Sequence, residues 1–430
     1  MVASASEPES VALTDEDLAI LSKESPTVVG HVGKVIVVGP TLAIDELRAS
    51  LERRIAALPS LTRRLGGPPG APAWVPDSGF HLEDHVVDAT SPNSLTTAEL
   101  NDQIAEVFTQ RLDRSRPLWR IDVLGPLEDG SQVLVWRVHH ALADGQTAVR
   151  FATALLWDVG TGPTPTQSAV SSATTTAELH HRRHRQNLAG FVEREFRGGR
   201  GPSPFDGQIG AQRSVAFATV QLNPLRLSAR SVAGATVNDA VLACVTGGLR
   251  RWMAEGGNEP LHDLRVKVPV SMHDATDTLG NRDSFFYLGL PVGEPDPAER
   301  LRLIRQESAI RKTQHDAQEM DRALAALSRA SPRLRQVCDR FLMDPREFAL
   351  NVSNVPGPRA PVSVVGQPVQ SIHDLTDIAE RHALRVAAVS YAGQLGFGLC
   401  ADAALVEDLP GLADAIQAEA EDLTALAPPG

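Results

Sequence analysis

The chain has 430 residues, with 41 Lys+Arg against 53 Asp+Glu for a formal charge of −12, and 42% hydrophobic but only 4% aromatic residues. That length provides for about two or three domains with real cores, and the apolar fraction is too high for a disordered chain. The acidic balance argues against a nucleic-acid partner, which needs a basic face, and no run approaches the 18 or so apolar residues of a membrane span.

In chain order, residues 1–13 read as a disordered start with neither the basic nor the apolar region of a signal peptide. Thr14 is an N-cap with Asp15, Glu16 and Asp17 in the first turn, where the helix dipole favours them. Val35 to Val38 form a β-branched strand stopped by Gly39-Pro40. Leu47, Leu51, Ile55 and Leu58 recur at helical spacing, predicting an amphipathic helix over 44–58.

From Asp158 to Ser214 the composition turns to Thr, Ser, Pro and Gly, around the cluster His180-His181-Arg182-Arg183-His184-Arg185. Such a cluster on a linker is a solvated basic patch, with an anion or metal site the rarer alternative. We expect an N-terminal domain at 14–160, a linker at 161–213 and a C-terminal domain at 214–430. The second half restarts with a strand at 216–222, a helix at 237–252, a strand at 266–270 and a charged helix at 296–312. A buried strand at 390–401 and a closing helix at 409–426 follow. Strands and helices alternate without a regular βαβ cadence, so the fold class is mixed α/β in two domains.

Several chemistries are absent. There is no GxSxG elbow, no GxGxxG or GxxxxGK[ST] phosphate loop and no HExxH. Cys244, Cys338 and Cys400 form no CxxC pair, which removes zinc ribbons and fits a reducing compartment. The expected location is cytoplasmic, leaving room for peripheral contact with a membrane or lipid droplet.

Residues 131–145 carry the chemistry. Val133 to His139 is a strand by composition. Leu134, Trp136, Val138 and His140 share one face; Val133, Val135, Arg137 and His139 share the other. His140 continues an apolar face at a strand end, where a partly desolvated imidazole can serve as a general base. Taken alone, a histidine in that position is more often a satisfied structural residue than a catalyst. Two adjacent His on a strand cannot both reach one metal, so no metal site is expected. Asp144 can hold the following turn, and Gly145 leaves room for close approach.

Other blocks accompany it: Pro117-Leu118-Trp119; Asn238-Asp239 opening a helix; Pro269-Val270-Ser271 with Gly280-Asn281; Ser353-Asn354-Val355-Pro356-Gly357-Pro358; and Ser390-Tyr391-Ala392-Gly393. Taken singly, the first is a turn and core anchor or part of a channel, the second a helix cap, and Val355 to Pro358 a rigid turn. The pattern His-His-x-x-x-Asp-Gly resembles the signature of the CoA-dependent acyltransferase superfamily. With the other blocks in order, the chain resembles the bacterial wax ester synthase/diacylglycerol acyltransferases over nearly its whole length.

The resemblance implies two chloramphenicol-acetyltransferase-like domains meeting at a substrate tunnel. It implies O-acyl transfer from acyl-CoA, a co-substrate rather than a bound cofactor, to a long-chain alcohol or diacylglycerol. His140 would be the base, with His139, Asp144 and Gly145 around it and Asn238 and Asp239 as oxyanion or structural support. Pro117, Leu118, Trp119, Ser353, Asn354, Pro356 and Gly357 would line the channel. Arg120, where the family has Glu, His273, where it has Arg, and Val28-Val29-Gly30-His31 in place of Met-His depart from the pattern. None touches His140 or Asp144, so they bear on the acceptor, and a secondary-metabolite acyltransferase with another acceptor is the first alternative. A non-catalytic lipid-binding homologue, against which the intact His-His-x-x-x-Asp-Gly argues, is the second.

Overall fold

The computed structural model describes residues 10–40, 42–158, 203–256, 264–271, 283–314 and 344–426, together with 316, 318–320 and 322–323. Residues 1–9, most of the expected linker with its His/Arg cluster, His273, Gly280-Asn281 and Cys338 lie outside them.

Fifteen strands are arranged in three sheets among the described residues. The smallest joins β1 (Val11–Ala12), β3 (Arg63–Gly66) and β4 (Ala73–Pro76) in the order β1-β4-β3. Val11 pairs with Trp74, so the expected disordered start has a strand at its end.

The first large sheet contains β2 (His31–Val38), β5 (Val86–Asp88), β6 (Trp119–Leu124), β7 (Gln132–His139), β12 (Ser363–Val364) and β13 (Gln367–Thr376), in the order β12-β13-β2-β7-β6-β5. The second contains β8 (Arg213–Gln221), β9 (Leu264–Ser271), β10 (Asp283–Leu290), β11 (Leu350–Pro356), β14 (Leu384–Tyr391) and β15 (Gln394–Asp402), in the order β10-β9-β11-β14-β15-β8. Mixed α/β architecture in two halves is therefore what the chain adopts.

Strand pairing crosses the expected division at residue 214. β13 belongs to the second half by sequence, yet it pairs antiparallel with β2 from Thr376↔Val32 to Val369↔Val38. Sheet pairing ignores sequence distance, so the first half borrows a strand. The expected strand at 390–401 is also two strands. Ala392 and Gly393 both take positive φ (45° and 86°), which turns β14 back into β15.

Helices cover the sheets. Helix α1 (Asp15–Ser22) carries the capping box set by Thr14 and Asp17. Helix α2 (Ile44–Ile55) buries Leu47, Leu51 and Ile55, and a 3₁₀ turn at Pro59–Thr62 follows it. Helices α3 (Thr97–Thr109) and α4 (Gly145–Leu155) complete the first half. The second half carries α5 (Leu222–Ala233), α6 (Val237–Glu255), α7 (Pro297–Gln314) and α8 (Leu409–Ala425). No single helix among the described residues is long and apolar enough to cross a membrane.

The period-two alternation of β7 sorts its side chains between two cores. Leu134, Trp136 and Val138 pack with Phe151 and Ala152 of α4 and Leu47 and Leu51 of α2. Val133 and Val135 join Ile104 and Phe108 of α3 and, beyond them, Val215 and Ala218 of β8. That second core runs without a break from one sheet to the other. The halves also meet backbone to backbone where β15 crosses β13. A Cβ on Gly396 would stand 2.5 Å from the Ile372 carbonyl oxygen, and one on Gly398 2.0 Å from that of Asp374. Only glycine permits that approach.

Candidate active site

β7 delivers His139 as its last residue, and the chain then makes a tight turn into α4. Asp144 is fully buried and caps α4, its carboxylate accepting the Thr147 N–H at 2.7 Å. Gly145, the first helical residue, abuts β11: a Cβ there would stand 3.0 Å from Val355 Cγ2.

His140 is half-buried in the turn that follows β7. Its backbone N–H donates to the Gly30 carbonyl at 2.9 Å. Burial and then the positive charge of Arg385, on β14, push its pKa from 6.5 down to about 4, against a weaker opposing pull from Asp144. The imidazole is therefore neutral at neutral pH and able to accept a proton.

His139 is buried. Its Nε2 lies 2.7 Å from Glu24 Oε1, and its Nδ1 accepts the Ala141 N–H at 3.1 Å. Glu24 also meets Arg111 at 2.8 Å and Arg114 at 2.9 Å. Burial would raise the Glu24 carboxyl, but His139 and Arg114 outweigh it and hold the pKa below its ordinary value.

Gly30 is held from the second half. Asp377, just after β13, accepts the N–H groups of Val29 and Gly30 at 2.8 and 3.2 Å and receives Arg213 Nε at 2.9 Å. The Arg385 guanidinium donates to the Asp377 carbonyl at 3.2 Å. Sequence reasoning missed Glu24, Asp377, Arg213 and Arg385. Each lies far along the chain from the His pair, and no local spacing marks any of them.

The remaining blocks divide. The Leu118 carbonyl accepts the His139 N–H at 2.9 Å, so the Pro117-Leu118-Trp119 segment props the strand end. Trp119 is buried, donates to the Leu61 carbonyl at 2.7 Å and stacks on His85; its contacts are those of a core anchor. Arg120 donates to Asp122 at 2.8 Å, and Asp122 also takes Arg137 at 2.8 Å, so the reversed charge is absorbed locally.

Ser353 and Asn354 are half-buried on β11. Pro356 is exposed, and Gly357 donates to the Ser390 carbonyl at 3.0 Å, so this segment runs beside Ser390-Tyr391. Tyr391 in turn bonds Val369 of β13. Asp239 completes a capping box with Thr236 and accepts the Ser308 hydroxyl of α7 at 2.5 Å. Asn238 stands half-buried in that same first turn. The contacts of Asp239 are those of a helix cap joined to α7.

A small cavity lies in the seam between the halves, with Val149 and Ala152 of α4 on one side and Gly357 and Pro358 on the other, and Lys34 in its wall. Cys244 and Cys400 are buried, which raises both thiols, that of Cys400 to about 12. Neither is a ready nucleophile. Among the described residues no cluster of three or more His, Cys, Asp or Glu is placed to hold a metal ion.

Comparison with known proteins agrees. The family model "Wax ester synthase/diacylglycerol acyltransferase catalytic domain" matches residues 13–194, and "WS/DGAT C-terminal domain" matches 279–424. The Mycobacterium tuberculosis (strain ATCC 25618 / H37Rv) protein named "Probable diacyglycerol O-acyltransferase tgs1" is 28% identical over 419 residues, 91% of this chain and 90% of that one.

Among solved structures, the wax ester synthase/diacylglycerol acyltransferase from Marinobacter aquaeolei VT8 matches at a TM-score of 0.73 and 23% identity, over 96% of this chain and 98% of that one. A starter condensation domain of rhizomide synthetase in complex with C8-CoA matches at 0.62 and 16% identity, over 97% and 94%. The matched family models and relatives make the chain an acyltransferase. The chain belongs to the wax ester synthase/diacylglycerol acyltransferase family.

Proposed function

We propose that this chain transfers a fatty acyl group from acyl-CoA to the hydroxyl of a long-chain alcohol or diacylglycerol, with His140 as general base. The observation that carries the reading is a neutral, half-buried imidazole on a turn fixed by Asp144 and Gly30. His140 takes the hydroxyl proton as the oxygen attacks the thioester carbonyl. The tetrahedral adduct then collapses, the C–S bond breaks, and the proton passes from His140 to the CoA sulfur. Ester and free CoA thiol are the products, and no acyl-enzyme forms. Supporting this, the two described cysteines are buried with raised pKa values.

Names of relatives and of the structural neighbour support the substrates: diacylglycerol and wax ester chemistry in the former, an acyl-CoA in the latter. An acceptor of this kind sits in a lipid phase, which would bring the protein to a membrane or droplet surface.

Purified protein is to be incubated with palmitoyl-CoA and either hexadecanol or diacylglycerol, and thiol release and ester followed together. Ester from either acceptor, lost in His140→Ala, supports the reading. Undiminished turnover in His140→Ala overturns the mechanism, and thiol release without either ester overturns the acceptor class.

A further inference from the structure

We propose that Glu24 is a positioning residue of the transfer, acting on His140 through the neighbouring His139. The inference rests on the acyl-transfer reading above. His139 and His140 are consecutive, and the ring of His139 holds the N–H of Ala141, so a change at that ring reaches the backbone on both sides of His140.

Both ring nitrogens of His139 have a close polar neighbour. Nδ1 accepts the Ala141 N–H at 3.1 Å, which requires it to be unprotonated and leaves the proton on Nε2, 2.7 Å from Glu24 Oε1. The Ala141 bond shapes the turn directly after His140. The carboxylate thus selects the tautomer that closes the turn, as a partner group orients a histidine elsewhere in protein chemistry.

Glu24 is itself immobilised. Its side chain is 8% exposed and is bracketed by Arg111 and Arg114. The loop from Glu24 to Gly30 is pinned at its far end by Asp377, and its Gly30 carbonyl holds the His140 N–H. Gly30 has φ +70°, and a Cβ there would stand 3.1 Å from His139 Nε2 and 3.4 Å from Glu24 Cγ. One short loop therefore grips the His-His pair twice, by side chain at 139 and by backbone at 140.

The test compares Glu24→Ala with Glu24→Gln. Gln keeps an oxygen for the Nε2–H and nearly the same volume. Misplacing a reacting group by an ångström can cost on the order of 100-fold in rate. Glu24→Ala is expected to lower kcat by about 10- to 100-fold with KM for acyl-CoA within about twofold, while Glu24→Gln stays within about fivefold of the parent. A parental kcat in Glu24→Ala, or equal losses in both variants, overturns the proposal.

A substrate-free readout separates it from the acyl-transfer reading. The ¹⁵N spectrum of the imidazoles should show His139 protonated at Nε2 in the parent and in Glu24→Gln, and altered His140 signals in Glu24→Ala. Unchanged His140 signals in Glu24→Ala sink the positioning role, whereas a parent protein without thiol release sinks only the reading on which it rests.

Discussion

Lys34 Nζ lies 2.7 Å from Asp374 Oδ1, with the two side chains only 6% and 11% exposed. They face each other across β2 and β13, strands brought together from opposite ends of the chain. Burial raises the Asp374 carboxyl and Lys34 pulls it back. An ion pair in such a place adds little net stability, but breaking it leaves a buried charge alone.

Lys34→Met is therefore expected to cost about 3–5 kcal/mol, and Lys34→Met/Asp374→Leu to recover most of it. Urea unfolding of the two variants checks this. A single variant as stable as the parent would refute it.

The crossing of β15 over β13 allows no side chain at residue 398. Gly398→Ala places a methyl 2.0 Å from the Asp374 carbonyl oxygen, a backbone atom with no freedom to swing away. A loss of at least about 1–3 kcal/mol, the usual range for overpacking, is expected in a thermal melt.

Asp144 combines a cap with a charge. Asp144→Ala removes the acceptor of the Thr147 N–H and is expected to cost about 1 kcal/mol as well as turnover. Asp144→Asn retains an oxygen in the same place, so its stability should stay within about 0.5 kcal/mol of the parent while kcat falls. Equal melting losses in the two variants would count against the capping account.

Three histidines, His140, His373 and His382, have pKa values lowered to about 4, in each case first by burial. The unfolded chain binds protons at these groups near pH 6.5 and the folded chain does not. The stability they confer is present above about pH 6.5 and drains away as pH falls toward 4, at up to about 1.4 kcal/mol per pH unit for each group. Urea midpoints at pH 7, 6 and 5 should fall in that order, and His373→Gln should flatten the slope. By the same shift, the acid limb of kcat/KM belongs near pH 4; an inflection at 6.5 would contradict a neutral, desolvated His140.

What could be read before the fold was known was local. The faces of Val133 to Val138 follow from a two-residue period, and the cap at Thr14 follows from a side chain three residues from the N–H it serves. The pairing of β13 with β2 was illegible, because a strand's sequence does not name its partner. The hairpin at Ala392-Gly393 hid inside an apolar run in which only Gly393 suggests a turn. Nothing local marks Glu24, between Lys23 and Ser25; its partner His139 is more than a hundred residues away. Trp119, expected as a core anchor or a channel residue, has the contacts of an anchor, though its bond to the Leu61 carbonyl is one that neither segment announces.

The borrowed strand also has a consequence for synthesis. When His139 has left the ribosome, β2 has one neighbour, and its other edge, with the run Val35-Ile36-Val37-Val38, remains open until Thr376 emerges. At about 5–20 residues per second, the intervening 240 or so residues keep that edge unsatisfied for on the order of ten seconds or longer. An open β-branched edge is a template for aggregation. The nascent first half therefore needs either a chaperone or its own later strand, and a fragment ending before Ser363 is expected in the insoluble fraction.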